Sequence, residues 1–210
     1  NNLNSSLYLK FDLPLGFSFQ TTYSPRFEWV EYMFHKSADH PGSGDQGGYV
    51  HRYAQKDFYW QWDNMLKWNK EFGKHAFDFT GLVNWEKFQR WKTTAKNEAF
   101  QPSDNLGWHG IGYGTVPSVD ADDIYRTGDA LMARLHYSYA DRYLITATVR
   151  RDGYSAFGQA NPHAVFPSVA LGWVFTEESF FKKLNANWLE YAKLRFSYGE
   201  NGNRSVGEYA

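Results

Sequence analysis

Residues 143–175 constrain the fold more than any other stretch of the chain. Tyr143, Ile145, Ala147 and Val149 share one parity, and Leu144, Thr146, Thr148 and Arg150 share the other. After a turn, Val165, Pro167, Val169, Leu171, Trp173 and Phe175 alternate with Phe166, Ser168, Ala170, Gly172 and Val174. A period of two sustained over this length specifies β-strands, because successive side chains of a strand point to opposite faces. One face is large and apolar and the other small or polar, so the fold turns on what covers the apolar face: a soluble core or lipid.

Composition narrows that choice. Mean hydropathy is −0.63, yet 20% of the 210 residues are aromatic, with 9 Trp, 15 Tyr and 17 Phe. A polar average with so many rings suits alternating strands that place aromatics at membrane interfaces. A net charge of −1 argues against a nucleic-acid partner, and the absence of cysteine excludes a disulfide framework and thiolate metal sites. No run approaches the roughly 18 apolar residues of a membrane helix. That leaves barrel strands untouched, since alternation hides them from hydropathy windows.

Eight strands are predicted, around residues 7–13, 17–23, 58–68, 77–85, 131–139, 143–150, 165–175 and 194–198. Residues 36–54 and 91–125 read as long loops rich in Gly, Asp and Ser, and 153–164 as a medium one. Residues 14–16, 70–75 and 140–142 read as tight turns. Thr176-Glu-Glu-Ser-Phe-Phe-Lys-Lys-Leu184 reads as a short helix capped by Thr176, and residues 201–203 as a turn. Short and long connections alternate, which puts the short turns at one end of an up-and-down sheet and the long loops at the other. Outer-membrane barrels have this layout; a soluble sandwich would show Greek-key crossovers. The faces opposite the apolar ones carry Lys10, Asp12, Asp63, Lys67, Asp78, Glu86, Arg134, Lys193 and Arg195. So many ionisable groups need a wide, wet lumen or a polar plug. The expected fold class is therefore all-β: an antiparallel up-and-down transmembrane β-barrel segment of about eight strands, part of a larger barrel. The alternative is a soluble, aromatic-rich β-sandwich that binds carbohydrate.

Tyr143-Leu-Ile-Thr-Ala-Thr-Val-Arg-Arg-Asp-Gly-Tyr-Ser-Ala-Phe-Gly158, Val165-Phe-Pro-Ser-Val-Ala-Leu-Gly-Trp173, Thr176-Glu-Glu-Ser-Phe-Phe181, Leu194-Arg-Phe-Ser-Tyr-Gly199 and Asn201-Gly-Asn203 occur in this order. Together they resemble the SusC/RagA family of TonB-dependent outer-membrane receptors, and residues 1–130 resemble the preceding strands at the level of pattern. The resemblance implies a barrel of roughly 22 strands around a plug in the outer membrane of a Gram-negative bacterium. It implies import of an oligosaccharide or peptide, TonB acting through an N-terminal plug region, and a SusD-like surface lipoprotein as lid. No segment of residues 1–210 resembles the plug, a TonB box or a terminal strand, so the chain reads as a middle-to-late slice of the barrel.

Candidate sites divide into loop and interface residues. Trp108 and Tyr113 lie in the glycine-rich second loop, where they either meet substrate or lid, or pack the loop onto itself. Arg150 and Arg151 sit at a strand end, as substrate contacts or as partners of Asp152. Trp60, Trp62, Trp68, Trp85, Tyr137, Tyr139, Tyr143, Trp173 and Phe175 form an expected interfacial aromatic girdle. Asp120, Asp122 and Asp123 miss the EF-hand spacing, and His35, Asp39 and His40 are too loosely spaced for a zinc site. Asp63, Asp78 and Glu86 could be paired as in glycosidases, but lumen lining explains them equally. No catalytic motif and no cofactor site is apparent.

Overall fold

The computed structural model describes residues 1–42, 47–100, 104–156, 162–184 and 188–202. Ten strands make one antiparallel sheet: β1 (Asn2–Asn4), β2 (Leu7–Asp12), β3 (Phe17–Lys36), β4 (Tyr49–Phe72), β5 (His75–Glu98), β6 (Ser118–Ala121), β7 (Ile124–Tyr139), β8 (Tyr143–Tyr154), β9 (His163–Trp173) and β10 (Leu194–Gly199). The order is β1-β3-β4-β5-β7-β8-β9-β10, with β2 also on β3 and β6 also on β5. From β3 onward the long strands pair in chain order, as in an up-and-down meander. The two short additions, β1 and β6, continue the lines of β2 and β7, so the eight expected strands correspond to eight lines. There is no second sheet among the described residues, which removes the sandwich alternative.

The chain forms two compact units. One comprises Asn1–Ser5, Ser24–Trp60 and Lys87–Arg126; the other comprises Ser6–Tyr23, Gln61–Glu86 and Thr127–Ala210. The first holds the long connections after β3 and β5. The second holds the tight turns before β3, after β4 and after β7. In the last of these, Ala140 and Asp141 both take left-handed φ, 51° and 55°, as a type I′ turn requires. Arg142 N–H closes it on the Tyr139 carbonyl at 3.0 Å, and the Ser138 hydroxyl donates to Asp141 at 3.3 Å. At the β2–β3 turn, any Cβ on Gly16 would collide with the Asn69 carbonyl oxygen.

Strand lengths depart from the sequence reading. β4 and β5 each run 24 residues and β3 runs 20, against the roughly 9–11 that cross a bilayer. Residues 49–54 and 91–98, expected in loops, are strand. Their backbone keeps its ladder while their outward side chains become mixed, with Arg52 between Val50 and Ala54 and Thr93 between Trp91 and Ala95, so the hydrophobic period fades before the strand ends. The 174–193 connection departs as well. It leaves β9 at the tight-turn end, yet it is long and carries a 3-10 turn at Phe175–Glu177 and a one-turn helix, α1 (Ser179–Lys182). Thr176 does not cap that helix; its hydroxyl accepts the Ala192 N–H at 3.2 Å and ties the two ends of the connection together.

Almost nothing in this sheet is a soluble core. Among the described residues the buried apolar side chains are Val50, Ala130 and Val174, while Leu135, Ile145, Val149, Val169, Leu171 and Phe196 are exposed along one face. Their register makes that face continuous: Leu135 opposes Ala147, Ala147 opposes Val169, and Ile145 opposes Leu171, which opposes Phe196. On the other face Arg134 opposes Thr148, and His136 Nδ1 lies 2.8 Å from Thr146 Oγ1.

Adjacent positions on β8 should therefore respond oppositely to charge. In the full-length protein folded into lipid, Val149→Arg is expected to cost about 2–4 kcal/mol in denaturant titration, and Thr148→Arg little. Equal losses at both positions would show that lipid does not cover the Val149 face.

Candidate functional site

The polar face of the first unit carries a ladder of rings that alternation places at every second residue. Tyr49, His51, Tyr53, Gln55, Asp57 and Tyr59 share one parity of β4. Tyr53 stacks on Tyr32 of β3 with centroids 5.1 Å apart and planes 16° apart. His51 meets Tyr32 edge-on at 5.5 Å, and Tyr49 lies 6.2 Å from His51. From β5, Lys92 Nζ sits 4.7 Å above the Tyr53 ring, within cation–π range.

Toward the middle of the same strands charge replaces rings. Arg90 Nε and Nη2 donate to the two Asp57 carboxylate oxygens at 2.9 and 2.8 Å, a fork geometry that orients both planes. Gln55 donates to the same carboxylate at 3.0 Å, and Arg26 pairs with Glu28 at 2.9 Å. Arg26, Glu28, Asp57, Tyr59, Phe88 and Arg90 line an open recess of about 340 Å³. Planar hydrogen-bonding groups beside aromatic rings suit a polar organic ligand; the recess contains no Ser, Cys, Lys or His to act as a nucleophile or neutral base.

The loop beyond β5 is held by one side chain together with backbone bonds, among them Thr115 N–H to the Glu98 carbonyl at 2.9 Å. Asn97 is buried. Its amide donates to the carbonyls of Ile111 and Gly114 at 2.8 and 3.0 Å, and its Oδ1 accepts the N–H groups of Glu98 and Val116 at 3.0 and 2.9 Å. The 3-10 segment Asp104–Tyr113 thus has a fixed base. Trp108 packs against His109 with centroids 5.2 Å apart and remains 42% exposed, while Tyr113 is 68% exposed.

The two arginines at the far end of β8 part company. Arg150 Nε donates to Asp152 at 2.8 Å on the polar face. Arg151, one residue on and therefore on the opposite face, donates to Asp129 at 2.8 Å. Both have carboxylate partners. Of the carboxylates considered for glycosidase chemistry, Asp63 accepts from the amides of Asn84 at 2.7 Å and Gln61 at 2.9 Å.

In the second unit several of the rings expected to form a girdle pack on one another or on neighbouring rings. Trp62 lies 5.4 Å from Trp85, and its indole donates to Thr21 at 2.8 Å. Trp68 stacks on Phe17 at 5.9 Å and donates to the Leu15 carbonyl at 3.2 Å. Tyr137 packs on Phe77 at 5.0 Å and Tyr139 on Tyr143 at 6.4 Å. Glu178, which sequence reasoning passed over, gathers the tight-turn end. Its Oε1 accepts from Tyr143 Oη at 2.5 Å and from Trp173 Nε1 at 3.2 Å, and Arg142 lies 3.5 Å away. These donors, the Tyr143 hydroxyl foremost, hold the Glu178 carboxyl below the ordinary glutamate range.

A meander with its apolar side uncovered, rings at the strand ends and a polar opposite face is barrel wall. The pattern that defines the TonB dependent receptor-like beta-barrel matches residues 1–210 throughout. The chain belongs to the TonB-dependent receptor family. TonB-dependent receptor P39 of Formosa agariphila is 30% identical over 96% of the chain, and receptor P3 of the same organism 29% identical over 96%. TonB-dependent receptor SusC of Bacteroides thetaiotaomicron is 42% identical over 87 residues, 40% of the chain. Among solved structures the RagAB peptide transporter superposes with a TM-score of 0.84 at 20% identity, over 98% of this chain and 23% of that one. The chain spans about a fifth of the length of the curated relatives it matches: 19% of P3 and 18% of P39. Membership puts this sheet in the outer membrane of a Gram-negative bacterium, as part of a TonB-dependent receptor barrel related to SusC and RagA. The tight turns mark its periplasmic end and the long loops its extracellular end.

Two outcomes follow for this receptor segment. Asn97→Ala removes both halves of the loop's anchor; at about 1 kcal/mol per net hydrogen bond it should loosen residues 104–116 by about 2–4 kcal/mol. Limited proteolysis of the full-length receptor should then cut within the loop, while the barrel still migrates as folded on an unheated gel. The second concerns pH. Because the folded carboxyl of Glu178 is depressed, its stabilisation is complete above the unfolded value of about 4.3. It is lost as pH falls through the folded one. Hydrogen exchange of residues 174–184, corrected for intrinsic rates, should accelerate below about pH 4 in the wild type, and Glu178→Gln should lack that step.

Proposed function

We propose that this segment forms part of the wall and extracellular mouth of a receptor that imports a large nutrient, an oligosaccharide or a peptide. The observation that carries the reading is the ladder of rings and charge pairs that lines the lumen side of β3, β4 and β5 beneath a loop pinned by Asn97. A ligand passing the mouth meets Tyr32, His51, Tyr53 and then the Asp57–Arg90 pair, with no group placed for covalent chemistry. Energy comes from TonB, acting on a plug supplied elsewhere in the full-length protein. A SusD-like lipoprotein closes the mouth from above. The similarity to SusC supports a receptor of this kind, and that to the RagAB peptide importer supports a partner protein and a peptide among the possible cargoes.

Within this reading Trp108 and Tyr113 are the loop's exposed contacts for ligand or lid. Arg150 shapes the lumen rim through Asp152, and Arg151 braces the strand end through Asp129. Trp60, Trp62, Trp68, Trp85, Tyr137, Tyr139, Tyr143, Trp173 and Phe175 form the girdle that sets the depth of the barrel in the bilayer. On β4, Trp60 and Trp68 stand eight residues apart on one face, close to the roughly 9–11 residues of a spanning strand.

The test uses the full-length receptor in cells that depend on it for a defined oligosaccharide or peptide mixture. Trp108→Ala with Tyr113→Ala should lower co-purification of the lipoprotein and slow growth several-fold without reducing folded receptor in the outer membrane. Trp62→Ala should leave both unchanged. Unaltered lipoprotein capture and uptake in the loop variant would remove these residues from the mouth, and growth on only one of the two nutrient classes identifies the cargo.

A further inference from the structure

The 174–193 connection is built unlike the other turns at its end of the sheet. β4 passes to β5 through Gly73 and Lys74, and β7 to β8 through residues 140–142. After β9 the chain instead makes a folded platform. Val174 is buried and its N–H donates to the Arg142 carbonyl at 2.8 Å. Phe175 meets Phe181 edge-on at 5.5 Å, Glu178 is clamped by Tyr143 and Trp173, and Thr176 closes on Ala192. A hairpin needs none of this.

What the platform holds outward is apolar. Phe180 is 54% exposed, Leu184 67%, Tyr191 62% and Trp188 83%. In water such rings are a standing cost of about 25 cal/mol per Å². Phe180 also fixes the direction of the patch. Its ring lies 6.4 Å from that of Trp173, which stands on the lipid-facing side of β9 in register with Tyr143 and Leu194. Phe180 therefore continues the apolar face past the last ladder pair, and Leu184, Trp188 and Tyr191 stand exposed in the same connection. Lys182, bridged to Glu177 at 2.6 Å, and Lys183 lie within the same turn. Rings with polar edges, leucine and lysines together are what a segment lying in a headgroup layer presents.

We infer that residues 174–184 and 188–193 form an interfacial foot that rests on the periplasmic leaflet. Phe180, Leu184 and Trp188 enter the boundary between headgroups and acyl chains, and Lys183 faces lipid phosphate. This goes beyond the girdle, which lies on the strands: the foot reaches outside the sheet and ties the barrel's lower rim to the bilayer surface. It rests on the outer-membrane reading, and its occupant is phospholipid because Phe180 continues the face that lipid already covers.

The chain has no cysteine, so one introduced thiol reports on this segment once any cysteine elsewhere in the full-length receptor is replaced. Nitroxide labels at Leu184→Cys and Trp188→Cys, with Lys74→Cys as the turn control, are compared in phospholipid proteoliposomes by collision with oxygen and with a water-soluble nickel chelate. The expected result is a several-fold higher ratio of oxygen to nickel accessibility at 184 and 188 than at 74, decreasing when Lys183→Glu is added. Labels at 184 and 188 as water-accessible as the one at 74 would overturn the foot. So would protection that appears only when a periplasmic protein is added. Migration on an unheated gel reports folding separately: a folded, inserted receptor with a wet foot sinks this inference alone, whereas a chain that never enters the bilayer sinks the receptor reading.

Discussion

The backbone ladder and the apolar side chains make incompatible demands in water, and every feature of this segment follows from how that conflict is resolved. Ten strands satisfy one another's N–H and C=O groups along the interior of a single sheet, yet they leave Leu135, Ile145, Val149, Val169 and Leu171 without protein cover. A second sheet or a helical layer would resolve this in a soluble protein. Here the missing layer is lipid, which asks that polar backbone be paired internally and that the outward face stay apolar only over the bilayer's thickness. The opposite face is then free to carry charge, and it does so in forks and stacks instead of a packed core.

This division explains how much of the fold was legible in the sequence. The hairpin of β8 and β9 was clear because residues alternate from Tyr143 to Arg150 and again from Val165 to Trp173, where its outer face lies against lipid. β4 and β5 were read short for the same reason inverted. Beyond Phe58 and Lys87 the outward positions come to include Lys56, Arg52, Gln89 and Thr93, so hydrophobic period two fades while strand pairing continues. The 174–193 connection was legible in part: the expected helix is present but shrinks to one turn, Ser179–Lys182, without a Thr176 cap. Thr176, followed by two glutamates and later two lysines, is a plausible helix, but the energetics favour tertiary bonds over a cap. Thr176 binds Ala192, and Glu178 binds Tyr143 and Trp173.

The candidate site was less legible. Trp108 and Tyr113 drew notice as rings in a glycine-rich loop. Tyr32, His51, Tyr53, Asp57 and Arg90 did not, because each is ordinary alone and they meet only across three strands. The signal that could have found them was present in β4: Tyr49, His51, Tyr53, Gln55, Asp57 and Tyr59 form a period-two run of hydrogen-bonding side chains. An apolar template reads that run as loop. A template for a wetted strand reads it as the inner lining of a channel. Arg150 and Arg151, taken together in the sequence, are separated by the same alternation onto two faces.

Asn97 bears on how such a mouth diversifies. All four of its bonds go to backbone groups, the carbonyls of Ile111 and Gly114 and the N–H groups of Glu98 and Val116. The clasp is therefore blind to the side chains of the loop it holds except at Gly114, where a Cβ would meet Asn97 itself. Residues between the clasped points can be exchanged for others of different size or charge, and the loop still leaves and re-enters the wall at the same places. In this segment, inheritance of the scaffold and innovation in what it greets are physically uncoupled.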